Sequence, residues 1–366
     1  MVYSIRDITS YLETLAPPAY QESYDNAQLL TGNPETEVTA VLCTLDATEA
    51  VVDEAIELNC NLIVAHHPII FKGLKSLTGK NYIERTIIKA IKHDIAIYAI
   101  HTNLDNVSTG VNKRICDMIG LENTRILSPK KQTLQKLVTF APVASREEVS
   151  QALFQAGAGQ IGNYKDCSFF LQGTGTFTPS EKANPTIGSK GKAEAVEEVR
   201  IEVIFPEYLS GKILAAMKEA HPYEEVAYYL QTLENVDQEV GSGMVGELPQ
   251  EMDEESFFAQ LKQNMNLNVV KRTDLRGKAV KKVAVCGGAG IFLLSAAIRS
   301  GADVFVTSDV KYHEFFDAEG KIVLADIGHY ESEIYTKDLL KEKLSQNFSN
   351  IALYLTKVVS NPITYI

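Results

Sequence analysis

The sequence predicts an α/β protein: two related lobes of parallel-type sheet with flanking helices, interrupted by an inserted ferredoxin-like α+β domain. Three observations predict it. Near-continuous apolar runs alternate with helical patterns in the first and last thirds of the chain, the signature of a parallel sheet covered on both faces. The middle third breaks that rhythm with the order β-α-β-β-α-β. The outer thirds also resemble each other in sequence.

The elements follow in order. "VTAVLCTLD" (38–46) reads as a strand and "ATEAVVDEAIELN" (47–59) spaces its apolar residues as a helix does. "NLIVAHH" (61–67) is a second strand, "YIERTIIKAIKHD" (82–94) a helix, and "IAIYAIH" (95–101) a third strand. The short helix "GVNKRICDMIG" closes at Gly120. The last third repeats the scheme with "KKVAVCGGAG", "IFLLSAAIRSG", "DVFVTSD", "KYHEFFDAEG", "KIVLADIG" and the helix "IYTKDLLKEKLSQN".

Between them, "KLVTFAPV", "REEVSQALFQAG", "CSFFLQG", "VEEVRIEVIFP", "LSGKILAAMKEA" and "VAYYLQTL" form the split β-α-β pattern. The Gly/Pro/Ser/Thr-rich stretch 173–191 is too long and too poor in aliphatic residues to be core. The expected layout is therefore a core of residues 1–130 and 236–366 with residues 131–235 inserted.

The internal similarity aligns "AIELNCNLIVAHH" with "AIRSGADVFVTSD", so that His66 and His67 correspond to Ser308 and Asp309. It also aligns "IAIYAIHTNLD" with "IVLADIGHYESE", so that His101…Asp105 corresponds to His329…Glu333. Ligands of open α/β sheets collect beyond the carboxyl ends of the strands, and His66, His67, Asp105, His329 and Glu333 all follow apolar strands. Imidazole and carboxylate together suit zinc, manganese, iron or nickel. His329 and Glu333 share a face if a helix begins there. Five such donors are too many for one zinc with an open position and suit two ions sharing a carboxylate.

Around them, His101 reads as a residue behind the ligands or facing substrate. His313 and Lys311 are candidates for proton transfer beside the site. His93 reads as a helix C-terminal residue without catalytic meaning. "CGGAG" (286–290) offers either amides for a phosphate or a tight strand-to-helix turn.

Composition narrows the function classes. The chain has 366 residues, 45% hydrophobic and 22% charged, in the range of ordinary globular proteins. No apolar run approaches the roughly 18–20 residues that span a bilayer, and "MVYSIRDITSYLE" does not read as a signal peptide. A net charge of −12 opposes loose binding to nucleic acid. Five scattered cysteines, never in a CxxC pair, fit a reducing cytoplasm rather than a disulfide framework.

"SYDNAQLLTG", "AHHP", "HTNLDN", "CGGAG", "SDVKYHE" and "DIGHYESE", in this order, resemble the motifs of the Nif-three-like family, whose members are often labelled GTP cyclohydrolase 1 type 2 homologues. The insert, with "GTGTF…ANPTIG" and "HPYEEVAYYL", resembles the CutA/PII-like domain of the longer bacterial members, the YqfO type. The resemblance implies a dimetal site on His66, His67, Asp105, His329 and Glu333, and a toroidal homohexamer in which the metal sites face an internal cavity. Zinc is the first choice of metal, with iron or manganese as alternatives. Two such ions beside His101, His313 and Lys311 suit hydrolysis of a nucleotide-like or phosphorylated small molecule, opening of the GTP ring being one such reaction. The rival reading is a metal-dependent regulatory or scaffold protein whose PII-like insert senses an effector.

Overall fold

The computed structural model describes residues 2–366. The chain divides into two compact units, Met1–Pro129 with Gln238–Ile366, and Lys130–Asp237. Both are mixed α/β, and together they contain three multi-stranded sheets.

The larger unit holds two of them. In the first sheet, strands Ala96–Ala99, Leu62–His67, Ala40–Asp46 and Ala352–Leu355 lie side by side and parallel, with the short Leu29–Thr31 antiparallel at the edge. In the second, Val323–Asp326, Val304–Thr307 and Val280–Val285 are parallel, flanked by antiparallel strands Lys271–Arg272, Gly241–Met252 and Glu122–Pro129. The parallel triplets run in the same chain order in both sheets.

Strand parity decides what each side chain meets. Val41, Cys43, Leu62 and Val64 join Val283, Val304, Val323 and Ala325 in one shared core. Leu42, Ile63 and Ala65 instead pack with Val51, Val52, Ala55, Ile87 and Ala90 of the covering helices Glu49–Glu57 and Tyr82–Lys92. Those helices begin where the sequence supplies caps. Thr48 accepts from the Val51 amide and Asn81 from the Glu84 amide. The helix Val111–Ile119 ends at Gly120, whose φ of 86° is the left-handed stop that glycine tolerates.

Several elements of this unit were not expected from sequence, among them helices Ile5–Leu15 and Glu254–Asn264 and the short strands Leu29–Thr31 and Lys271–Arg272. Glu122–Pro129 and Gly241–Met252 pair antiparallel, and Ala352–Leu355 returns from the chain's end to pair with Ala40–Cys43 of the first sheet. The segment 311–320 forms a 3-10 helix, Tyr312–Ala318.

The smaller unit is an antiparallel sheet in the order Phe169–Phe177, Glu194–Pro206, Leu134–Pro142, Tyr228–Thr232. Helices Arg146–Ala156 and Ser210–Ala220 cover one face through Val149, Leu153, Ile213 and Met217 packed on Val199, Ile201 and Val203. No helix among the described residues is long and apolar enough to cross a membrane. All five cysteines are free.

Candidate metal centre

The apolar strand Leu62–His67 carries His66 on the same parity as Leu62 and Val64, so it is driven into the shared core and is fully buried. His67, one step further, faces a cavity of about 400 Å³ lined also by His101, Asp105, His329 and Glu333. His101 caps the one-turn helix Thr102–Asp105, and His329 opens the helix His329–Glu333. Each short helix follows a parallel strand, so the two lobes deliver His-x-x-x-carboxylate pairs to one place.

In all four histidines Nδ1 is tied to an acceptor. His66 Nδ1 lies 2.8 Å from the Ile100 carbonyl. His67 Nδ1 lies 2.7 Å from Asp46, His101 Nδ1 2.8 Å from Asp25, and His329 Nδ1 2.5 Å from Asp309. A carbonyl or carboxylate fixes the proton on that nitrogen and turns Nε2 toward the cavity, the arrangement usual behind metal-binding imidazoles. His67 Nε2 and His329 Nε2 then meet the same oxygen, Glu333 Oε2, at 2.9 and 3.0 Å.

His66 Nε2 and Asp105 Oδ1 are both buried without a hydrogen-bond partner. Buried polar atoms are rarely left so. Three groups of side chains bring one ligand atom each within 4.8 Å of one another: His66, Asp105 and Glu333; His67, His329 and Glu333; and His66, His67 and His101. Two orphaned acceptors, with Glu333 common to two groups, are a donor set that fits a divalent cation.

The charges say the same. Burial pushes His66 down to about 3, so it presents a neutral lone pair. Burial, then the nearby Glu333 charge, lifts Asp105 well above the usual carboxylate range. Burial opposes charge on His67, but its bonds to Asp46 and Glu333 raise it to about 10. The same opposition holds for His329, which Glu333 and Asp309 raise to about 9. Glu333, though buried, is held well below its ordinary value by those two imidazoles. Without metal, protons occupy positions that stabilise positive charge around one buried carboxylate.

Asp25 and Asp46 were not singled out from sequence, and Asp309 entered only as the repeat counterpart of His67. Their signal was faint: Asp46 and Asp309 end apolar strands, and Asp25 lies in "SYDN". Asp309 adopts φ 55°, uncommon for a non-glycine residue, beside the site. Burial lifts Asp25 too, yet donors from His101 and Thr102 bring it down to about 2.

Most of the "CGGAG" amides are already engaged, Cys286 N–H by the Val306 carbonyl. Gly287 N–H donates to Asn112, Gly288 N–H to Ser332 and Gly290 N–H to Thr307, so the stretch is a tight turn, not a phosphate cradle. A Cβ at Gly288 would stand 2.5 Å from Glu333 Oε1. The Cys286 thiol is pushed far up by burial beside Asp105 and Glu333, which removes it as a nucleophile. Lys311 and His313 are exposed on or beside the 3-10 helix, where Lys311 pairs with Glu314 and His313 stacks on Phe316. Neither lines the cavity.

Comparison with known proteins adds the family. The chain is 42% identical over 359 residues to a GTP cyclohydrolase 1 type 2 homolog of Halalkalibacterium halodurans, covering 97% of this chain and 96% of that one. It is 38% identical over 367 residues to the protein of the same name from Bacillus subtilis, covering 99% and 98%. A solved Bacillus cereus protein related to NIF3 matches the full length of both chains at 39% identity with a TM-score of 0.87. The family model Duf34/NIF3 (NGG1p interacting factor 3) matches residues 3–362. Along nearly its whole length, then, this chain belongs to the Duf34/NIF3 family.

Proposed function

We propose that the chain is a dinuclear divalent-metal protein and a metal-dependent hydrolase of a nucleotide-like or phosphorylated small molecule. The observation that carries this reading is the sharing of Glu333 between two ligand groups, one with His66 and Asp105, the other with His67 and His329. Zinc is the metal adopted, and imidazole with carboxylate also accepts iron and manganese. Bound there, two such ions would acidify water and polarise a substrate oxygen.

The chain's own groups supply the rest. Asp25 holds the Nδ1–H of His101, which frees Nε2 at the cavity to take a proton from attacking water and return it to a leaving group. Tyr24, Phe71 and Phe292 line the same cavity with exposed rings, a rim suited to a flat base. The names of the relatives make GTP the first compound to test. The reading keeps residues 1–130 and 236–366 as the metal-binding core, 131–235 as a CutA/PII-like insert, and a toroidal homohexamer in the cytoplasm as the working form.

The test is incubation of metal-replete protein with GTP, other nucleotides and phosphoesters, beside a chelated sample and His67→Ala. Turnover that disappears in both controls supports the hydrolase. Metal-replete protein that turns over nothing above His67→Ala would return the chain to the regulatory reading.

A further inference from the structure

The smaller unit holds a cavity that none of the metal chemistry uses. Its sheet is covered by helices on one face only. Glu198, Arg200 and Glu202 alternate with the core residues Val199, Ile201 and Val203, so they face the other way. Over that second face lies the polar loop that follows Phe177. It is tied down where the Asn184 amide donates to Glu224 at 2.7 Å and the Thr186 hydroxyl to the Pro222 carbonyl at 2.7 Å. The cleft between sheet and loop measures about 680 Å³.

Its chemistry is one-sided. Glu198, Glu224 and Glu225 line it against a single cation, Arg200, whose Nε lies 2.7 Å from Glu202 in an ion pair without hydrogen-bond geometry. Glu198 is only 8% exposed. Its Oε1 accepts from the Tyr223 hydroxyl at 3.0 Å, and no donor among the described residues reaches Oε2. His221 does not neutralise it. That imidazole donates from Nε2 to the Phe140 carbonyl at 2.8 Å and accepts the Tyr223 amide on Nδ1 at 3.1 Å, and burial lowers its pKa. A buried carboxylate with a free oxygen needs a positive partner. Around it stand two aromatic pairs, Phe140 with Tyr229 and Phe177 with Tyr223, their centroids 5.6 and 6.1 Å apart.

We propose that this cavity binds a small organic cation: a primary ammonium, seated on Glu198, carried by an apolar or aromatic body that packs on these rings. Ring faces attract an ammonium as well as its hydrocarbon. A phosphate or carboxylate ligand would instead face three carboxylates with only a paired arginine to meet it. The site shares no residue with the metal centre, so this inference and the hydrolase reading fail separately.

Three probes of one shape test it by calorimetry on the full chain: phenethylammonium, 2-phenylethanol and phenylacetate. The ammonium is expected to bind at least about tenfold more tightly than the alcohol, the worth of one charged hydrogen bond, and phenylacetate not at all. Glu198→Gln keeps an acceptor for Tyr223 and should remove that advantage while leaving alcohol binding unchanged. Gly175→Ala, whose Cβ would collide with Glu198 Oε2, should weaken the ammonium likewise. If Glu198→Gln does not fold, the wild-type series and Gly175→Ala decide. Ammonium binding no tighter than the alcohol, preference for phenylacetate, or full ammonium affinity in either variant would overturn the proposal.

Discussion

His66 Nε2 and Asp105 Oδ1 face each other across 3.5 Å, both buried and neither with a donor. Two lone pairs at that distance repel unless a proton or a metal lies between them. Burial disfavours the proton on His66 and favours it on Asp105. In the metal-free protein Asp105 is therefore the group that takes it.

This pair gives the first prediction. Asp105→Asn replaces the carboxyl with a neutral amide that can donate to His66 Nε2. In chelator the variant should unfold within about 1 kcal/mol of wild type, since no buried hydrogen bond is lost. Added zinc should then raise its melting temperature less than it raises that of wild type. A loss above about 2 kcal/mol in chelator would mean that the carboxylate supports the fold rather than an ion.

The second prediction concerns pH. His67 and His329 are raised from 6.5 to about 10 and about 9 in the folded, metal-free protein. Groups raised on folding stabilise fully below their unfolded pKa and lose that contribution as pH climbs through the folded values. Chelated protein should thus lose stability between pH 6.5 and about 10. His66 acts in the opposite sense: lowered to about 3, it costs stability as pH falls below 6.5. Metal binding must expel the imidazolium protons, so zinc affinity should rise with pH across the same upper window. Thermal melts in chelator and calorimetry in two buffers of different ionisation heat check both signs. A chelated protein that grows more stable from pH 6.5 to 9 contradicts them.

Gly288 carries the third. Its φ is +60° and its Cβ would press on Glu333 Oε1, whereas Gly301 has φ +74° with open space around it. Gly301→Ala should cost about 1 kcal/mol of backbone strain and leave metal content alone. Gly288→Ala should show a similar strain and, in addition, lose bound metal by displacing Glu333. Equal metal content in the two variants would separate Glu333 from the ions.

How much of this was legible in the sequence follows from what each feature depends on. The ends of Leu62–His67 and Val323–Asp326 could be read because an apolar run states a buried strand locally, and His66, His67 and His329 follow directly. The i, i+4 pair His329 and Glu333 could be read because helical spacing is local too. Asp25, Asp46 and Asp309 could not, because their roles arise only when separate segments bring each to a histidine Nδ1. The strand Ala352–Leu355 was missed for the same reason: its partner lies at Ala40–Cys43, far away in the chain. His313 and Lys311, candidates for proton transfer beside the site, are exposed to solvent on or beside the 3-10 helix Tyr312–Ala318.

Metal content of Glu333→Ala against wild type tests the central claim most directly. Glu333 Oε2 meets both His67 and His329, and the same residue completes the group of His66 and Asp105. Elemental analysis after loading and desalting should find two ions per chain in wild type, about one in Asp105→Asn, and fewer than one in Glu333→Ala. A single ion in loaded wild type, or two retained in Glu333→Ala, would contradict a pair of metals that both depend on Glu333.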